Sequence, residues 1–262
     1  MVALKQSILL FNQDMTGPET VVTDQFTLSY LIRRNPGSKI TEDSAGLFLF
    51  EDGSLVCAVA DGIGGHRSGE KASRFAIEAL QKNLQDQNFS LMKRMTTSFE
   101  EANQKVLDLG SGAGSTLVVG SLHASYSRFY HAGDSIGVLL GGRGKVKYET
   151  TAHCPYGLGV EAGLITADDQ SSVPEDLRYM VTNYIGRPDL RIEVATQQKL
   201  HKMDRIFLYS DGLSDNFRLD EIPVSQRPSE ICSYIANNAR DRMLGSSGKQ
   251  DDLALVVICQ NP

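Results

Sequence analysis

The 262-residue sequence contains no tryptophan and only four cysteines. Cys57, Cys154, Cys232 and Cys259 lie far apart and form no C-x-x-C pair. The spacing argues against a disulfide framework or a zinc site. Three of the four sit in apolar segments, where buried free thiols are common. The core must therefore be built from aliphatic residues with support from Phe and Tyr.

Long apolar runs are also missing. The N-terminus has one lysine, Lys5, and one short apolar run, Ile8–Phe11. That run is too short for a secretion signal or a membrane-spanning helix. We therefore expect a cytoplasmic protein that does not associate with membranes.

Positive charge is scarce. Lys and Arg total 26 against 32 Asp and Glu, which leaves a net charge of −6. No run of basic residues could follow a nucleic-acid backbone, so nucleic-acid binding is not expected. An acidic protein that handles an anionic substrate needs local positive charge, which bound metal ions can supply.

Short strand-like segments dominate the chain, each bounded by Gly, Asp, Asn or Ser. They are Thr27–Ile32, Ala45–Phe50, Leu55–Ala60, Ser115–Leu122, Ser127–His131, Ile136–Leu140, Lys145–Glu149, Arg205–Ser210 and Leu253–Cys259.

Three segments have helical periodicity instead: Gly69–Gln87, Ser90–Leu109 and Ser229–Leu244. Their apolar residues recur with the i, i+3, i+4, i+7 spacing of an amphipathic helix. No change in composition divides residues 1–262, so we predict a single α+β domain. Its architecture would be a sandwich of two antiparallel β-sheets flanked by helices.

Acidic residues mark the ends of several predicted strands. Asp61 and Asp211 each follow a strand and precede a glycine, and Asp134 lies in a Gly-Asp-Ser turn. Asp251 precedes the last strand, and the pair Glu42-Asp43 precedes another. Carboxylates at strand ends can converge at one edge of a sandwich. An Asp-Gly pair is also an ordinary turn sequence, which is the alternative explanation for each one alone.

A convergent set of carboxylates would suit Mg²⁺ or Mn²⁺, which prefer oxygen ligands and retain several waters. Gly62 after Asp61 allows close backbone approach, so its carbonyl is a further candidate ligand. Two such ions roughly 3.5–4 Å apart could share a hydroxide placed to attack phosphorus.

Six motifs, in this order along the chain, resemble the metal-dependent protein phosphatase family, type 2C, in its bacterial form. The resemblance covers roughly residues 25–260. The motifs are Thr41–Ser44, Asp61–His66 continuing to Ser73, Gly112–Leu117, Gly133–Ser135, Ser210–Leu213 and Asp251–Leu253.

The resemblance implies hydrolysis of phosphoserine and phosphothreonine in proteins by a metal-activated water, without a covalent phosphoenzyme. Asp61 would bridge two metal ions, with the Gly62 carbonyl on one ion. Asp211 and Asp251 would bind the other ion.

The remaining carboxylates have secondary roles in the same resemblance. Glu42 and Asp43 would hold waters on the metals, and Asp134 with Asp211 would form a weaker third site. Residues 156–184 resemble the flap that borders the family's active site.

Three positions depart from the family pattern. Ser38 replaces the arginine that grips the substrate phosphate, and the adjacent Lys39 is our candidate substitute, although it lacks the two-pronged guanidinium. Arg33 and Arg34 are alternatives. Ile63 stands where eukaryotic members have a candidate general-acid histidine, and Ile136 stands where arginine is usual.

Other candidate residues have simpler explanations. We expect His66 to be structural or capping, and we expect the same structural role for the scattered His123, His131, His153 and His201. Ser115 and Ser210 are not in a G-x-S-x-G nucleophile motif.

Two other functions stay open: the same fold acting on another phosphoester, or a catalytically weak domain that binds a phosphorylated partner. The presence of Asp61, Asp211 and Asp251 favours an active enzyme. We expect a monomer that acts on phosphorylated proteins.

Overall fold

Two antiparallel β-sheets, stacked face to face, form the centre of the structure. The computed structural model describes residues 2–64, 67–110, 112–166, 173–223, 227–246 and 248–261. In chain order its strands are β1 (Leu4–Phe11), β2 (Glu19–Val22), β3 (Phe26–Arg33), β4 (Ser44–Phe50), β5 (Leu55–Ala60), β6 (Gly62–Ile63), β7 (Gly114–Ser115), β8 (Leu117–His123), β9 (Tyr126–Ala132), β10 (Ile136–Leu140), β11 (Val146–Glu149), β12 (Glu193–Val194), β13 (Gln198–Lys199), β14 (Arg205–Tyr209) and β15 (Leu253–Gln260).

The helices lie between and after these strands. They are α1 (Arg67–Leu84), α2 (Leu91–Asp108), α3 (Pro155–Glu161), α4 (Glu175–Tyr179), α5 (Asp211–Ser214) and α6 (Pro228–Leu244), with a short 3₁₀ helix at Leu219–Glu221. None of the described helices has the length and apolar character needed to cross a membrane.

The first sheet has the strand order β1-β4-β5-β8-β9-β12, with β13 also beside β9. The second has the order β11-β10-β14-β15-β3-β2, and the short strands β6 and β7 pair separately. Neighbouring strands in both sheets are antiparallel.

Three apolar clusters explain the layering. One fills the space between the sheets and includes Leu28, Leu47 and Val256. A second joins the outer face of the first sheet to α1 and α2, and a third joins the outer face of the second sheet to α6. The predicted sandwich of two antiparallel sheets flanked by helices is confirmed.

Burial on both faces accounts for the uniformly apolar strands. β4 and β5 are buried along their whole length because the other sheet covers one face and helices cover the other. All four cysteines are free and buried, including the three whose apolar segments predict burial.

The predicted helix boundaries differ from the observed ones by a few residues. Ser90 caps α2, its hydroxyl accepting a hydrogen bond from the backbone N–H of Lys93. Gly110, with φ of 61°, follows the end of the same helix, where a left-handed residue is usual.

Two N-terminal strands are absent from the sequence prediction. β1 pairs with β4 at the edge of the first sheet, and β2 pairs with β3 at the edge of the second. The polar residues Lys5, Gln6 and Ser7 interrupt β1, so it has no regular apolar alternation. The flap, residues 156–184, includes α4 and nearly all of α3, and residues 167–172 lie outside the described residues.

Candidate active site

Strand pairing brings the predicted acidic residues to one edge of the sandwich. The start of β4 lies beside the end of β5, with Ser44 opposite Ala60. Likewise, the end of β14 lies near the start of β15, with Tyr209 opposite Leu255. A hydrogen bond from Ser210, after β14, to Asp43, before β4, joins the two pairs of strand ends. The carboxylates that flank them therefore converge, although they are far apart in sequence.

The converging residues are Glu42, Asp43, Asp61, Asp211 and Asp251, and their charges interact. Burial first, and then the neighbouring carboxylates, raises the pKa of Asp43 and Asp61 well above the usual range for aspartate. The same causes raise the pKa of Glu42 to about 7 and that of Asp251 to about 6. Such a cluster is costly unless a positive charge compensates it.

Two buried oxygens show that the cluster suits a hard cation. Glu42 Oε1 and Asp43 Oδ1 have no hydrogen-bond partner within the described part of the chain. Buried polar atoms are normally paired, so unpaired carboxylate oxygens in an acidic cluster indicate a ligand position. The donor set consists of oxygens, which are the ligands that Mg²⁺ and Mn²⁺ prefer.

Glycines allow the backbone to enter this site. A Cβ at Gly69 would lie 2.6 Å from Glu42 Oε1 and 2.9 Å from the Gly62 carbonyl oxygen. A Cβ at Gly62 would lie 2.3 Å from the Gly69 carbonyl oxygen. Only glycine fits at either position, which leaves the Gly62 carbonyl beside the carboxylates as a possible metal ligand. His66 lies outside the described residues.

The Gly112–Leu117 motif fixes the position of Asp61. The Asp61 N–H donates to Thr116 Oγ1 at 2.9 Å, and the Thr116 N–H donates to the Asp61 carbonyl at 2.8 Å. Ser115 Oγ donates to the same carbonyl at 3.0 Å. Thr116 Oγ1 also lies 2.6 Å from Ser135 Oγ, which follows Asp134. The Gly112–Leu117 and Gly133–Ser135 motifs together therefore position Asp61.

Ser210 fixes Asp43. Its hydroxyl donates to Asp43 Oδ2 at 2.7 Å and accepts from the Ala254 N–H at 2.9 Å. Ser210 is fully buried and both of its hydrogen-bonding functions are used. It therefore has no free hydroxyl to serve as a nucleophile.

Asp252, which the sequence analysis did not assign, closes the loop that carries Lys39. Its two carboxylate oxygens accept from the N–H groups of Asn35 and Glu42, each at 2.6 Å. Lys39 lies within this loop with an exposed side chain, and its carbonyl accepts from Arg34 Nη1 at 2.9 Å.

The two upstream arginines have partners in different parts of the fold. Arg33 donates to the Ala236 carbonyl and to Asn237 Oδ1 on α6, so its guanidinium is committed there. Arg34 instead forms an ion pair with Asp14 at 3.1 Å and lies at the loop beside Asp252.

Asp134 lies in the turn between β9 and β10. We call Asp134, Asp211 and Asp215, which line one cavity, the outer end of the cluster. Burial and then Asp211 raise its pKa to about 8. Gly133 before it has φ of 116°, and a Cβ there would lie 2.5 Å from Thr116 Cβ. Because Gly133 has no Cβ, the turn can pack against Thr116, the residue that is hydrogen-bonded to Asp61.

The sequence analysis also missed Asp215 and Lys249. Lys249 Nζ lies 2.8 Å from Asp215 Oδ2, 3.2 Å from Asp211 Oδ2 and 3.3 Å from Asp251 Oδ2. Burial alone would lower the pKa of Lys249, but Asp211 and Asp215 outweigh it and raise the pKa above its ordinary value. The available signal was spacing, since Asp215 is one helical turn after Asp211 and Lys249 is two residues before Asp251.

A cavity of about 370 Å³ opens beside this outer end. Its lining includes Asp134, Asp211 and Asp215, together with residues of α3 and α4. Residues of the segment that we predict to be the flap therefore line the same cavity as three of the carboxylates.

A second group of potential ligands consists of His131, His153 and Glu193. His153 Nδ1 accepts hydrogen bonds from the Gly133 N–H at 3.0 Å and from Asn183 Nδ2 at 2.9 Å. Its proton must therefore be on Nε2, which donates to Glu193 Oε2 at 3.0 Å. A metal at Nε2 would have to displace this proton, so the group is better explained as a hydrogen-bond network.

Comparisons with known proteins identify the family. The sequence profile of the family Protein phosphatase 2C matches residues 37–246. A Streptococcus pyogenes protein named "Putative protein phosphatase 2C-type" is 30% identical, over 83% of this chain and 90% of its own length. Protein phosphatase PhpP of Streptococcus pneumoniae is 26% identical, over 84% of this chain and 92% of its own length.

Solved structures share the fold. The Streptococcus agalactiae serine/threonine phosphatase superposes with a TM-score of 0.78 at 22% identity, covering 90% of this chain and 100% of that one. The catalytic domain of the phosphatase PstP, solved with two manganese ions, has a TM-score of 0.71 at 24% identity, covering 91% and 99%. From the profile match, the 30% identical relative and the shared fold, the chain belongs to the protein phosphatase 2C family.

Proposed function

We propose that this protein hydrolyses phosphoserine and phosphothreonine in protein substrates and depends on divalent metal ions. The observation that carries the proposal is the carboxylate cluster around Asp61, with the unpaired buried oxygens of Glu42 and Asp43. The serine/threonine specificity is inferred from family membership and from relatives named "Serine/threonine phosphatase stp" in Listeria species.

We assign two ions, Mn²⁺ or Mg²⁺, to this cluster. Asp61, whose charge interacts with those of Asp43, Asp211 and Asp251, would contact both ions, with the Gly62 carbonyl on one and Asp211 and Asp251 on the other. Glu42 and Asp43 would contact them through water. When bound, such ions supply an activated water and neutralise charge on the phosphate.

The protein's own residues would position the substrate. The exposed Lys39 is the proposed phosphate contact, held on a loop that Asp252 closes. Arg34, beside the same loop, is the alternative contact. The peptide would enter along the cavity between the carboxylates and the flap.

A covalent phosphoenzyme is not part of the proposal. Ser115 and Ser210 are fully buried, and their hydroxyls are held by hydrogen bonds to Asp61 and Asp43. Both therefore stabilise the carboxylate cluster and do not act as nucleophiles. The cytoplasmic location and monomeric state expected from the sequence stay predictions.

A direct assay separates the alternatives. The metal-free protein, prepared with EDTA, is mixed with a phosphothreonine peptide, and phosphate release is measured after adding back Mn²⁺ or Mg²⁺. We expect turnover only with metal. Full activity in EDTA would contradict the metal-dependent mechanism. Hydrolysis of small phosphoesters alone would favour another substrate, and peptide binding without turnover would favour a binding domain.

A further inference from the structure

Lys249 makes an unusual set of contacts for a surface lysine. Its ammonium lies within 3.3 Å of carboxylate oxygens from Asp211, Asp215 and Asp251. Asp211 and Asp251 are the pair that we assign to one metal ion. The ammonium therefore shares ligands with the proposed metal centre.

The backbone of Lys249 is fixed, so this placement is built into the fold. Asn216 is buried, and its side chain accepts from the Lys249 N–H at 3.1 Å and donates to the Lys249 carbonyl at 2.9 Å. The same amide donates to the Gly212 carbonyl at 2.9 Å, which ties Lys249 to the helix that begins at Asp211. A Cβ at the preceding Gly248 would lie 2.1 Å from the Arg242 carbonyl oxygen, so only glycine fits there.

The ammonium also contacts the flap. Lys249 Nζ lies 4.6 Å from the centre of the Tyr179 ring, within the range of a cation–π interaction. One side chain therefore joins the outer carboxylates to α4.

We propose that Lys249 is a tethered cation of the active site that takes the place of a third metal ion. This inference rests on the proposed function. Asp134 and Asp211 have the carboxylates that the family resemblance assigns to a third ion, and Lys249 already pairs with Asp211 at that end of the cluster. In this protein two metal ions bind at Asp61, and the lysine balances the outer carboxylates and holds α4 in position.

The reasoning is electrostatic. A divalent ion bound by Asp134 and Asp211 would have to share Asp211 with the ammonium at close range. The ion assigned to Asp211 and Asp251 meets the same repulsion, but it also has the Asp61 carboxylate to offset it, and a third ion would not. Two cations on one carboxylate repel each other strongly in a partly buried site. The backbone clamp at Asn216 keeps the lysine near Asp211, so it is not readily displaced.

Counting bound Mn²⁺ tests the inference without using catalysis. Free Mn²⁺ is measured by electron paramagnetic resonance while the full-length protein is titrated to millimolar MnCl₂. The wild-type protein is compared with Lys249→Gln, which removes the charge, and with Lys249→Arg, which keeps it. Lys82→Gln is the matched control, because it removes a lysine that pairs with Glu101 on the helical face.

We expect two bound ions in the wild-type protein, in Lys249→Arg and in Lys82→Gln. Lys249→Gln should bind a third Mn²⁺ ion at least tenfold more tightly than the wild-type protein binds any third ion. Three ions of similar affinity in the wild-type protein would overturn the inference and leave the proposed function intact. Two ions in a folded Lys249→Gln protein would do the same. Circular dichroism verifies folding, and Lys249→Met is a second uncharged variant. Fewer than two ions in the wild type would overturn the proposed function itself.

Discussion

The substitution Asp134→Asn should stabilise the metal-free protein. Asp134 is a partly buried residue whose carboxyl pKa rises to about 8 in the fold, against an ordinary 3.8. Burial and the nearby Asp211 make its ionised form unfavourable, in that order. A neutral amide of the same shape avoids this cost.

The size of the effect follows from the pKa difference. Each pKa unit between the folded and unfolded states is worth about 1.36 kcal/mol. Ionised Asp134 therefore lowers the free energy of unfolding by up to roughly 4 kcal/mol at pH 7. Because neighbouring carboxylates share the cost, we expect Asp134→Asn to gain about 2–4 kcal/mol. For a protein of this size that corresponds to a rise in Tm of roughly 5–15 °C.

The pH dependence has a definite sign. A carboxyl whose pKa is raised on folding favours the fold below its unfolded pKa, and that stability is lost as the pH rises through the folded value. The advantage of Asp134→Asn should therefore vanish near pH 4 and be largest above pH 8. Thermal unfolding in EDTA at several pH values measures it, with the exposed Asp220→Asn as the control. Equal Tm values at pH 8 would refute the reasoning.

Three further substitutions test individual roles. Asp61→Asn should leave the fold intact and lower turnover of a phosphopeptide by roughly 10³-fold or more, about 4 kcal/mol of barrier; near-normal turnover would show that another residue is central. Thr116→Val removes the acceptor of the Asp61 N–H and should cost about 1–3 kcal/mol of stability, measured by urea unfolding; an unchanged midpoint would contradict this. Lys39→Ala should raise KM and change kcat little, because binding is lost equally in the ground and transition states. An unchanged KM would favour Arg34 as the phosphate contact.

Much of the fold could be predicted because apolar pattern and burial coincide. Leu55–Ala60 and Ile136–Leu140 were predicted with the observed boundaries, since each is an apolar run ended by polar or glycine residues. The edge strand β1 was not predictable in this way. Its pairing with β4, and not its own composition, makes Leu4–Phe11 a strand.

Some residues of the candidate site could be predicted from the sequence and others could not. Asp61, Asp211 and Asp251 could be proposed because each adjoins a recognisable strand and belongs to a family motif. Lys249 could not, because its role depends on the Asn216 clamp, which joins segments 33 residues apart. Asp252 looks equivalent to Asp251 in sequence, yet it bonds to backbone N–H groups of the Lys39 loop.

Anomalous diffraction at the manganese edge, from crystals grown with Mn²⁺, tests the central proposal most directly. We predict two peaks, both within bonding distance of the Asp61 carboxylate, with the Gly62 carbonyl on one ion and Asp211 and Asp251 on the other. The contradicting result would be a crystal with no manganese at Asp61, or with its manganese bound by His131, His153 and Glu193.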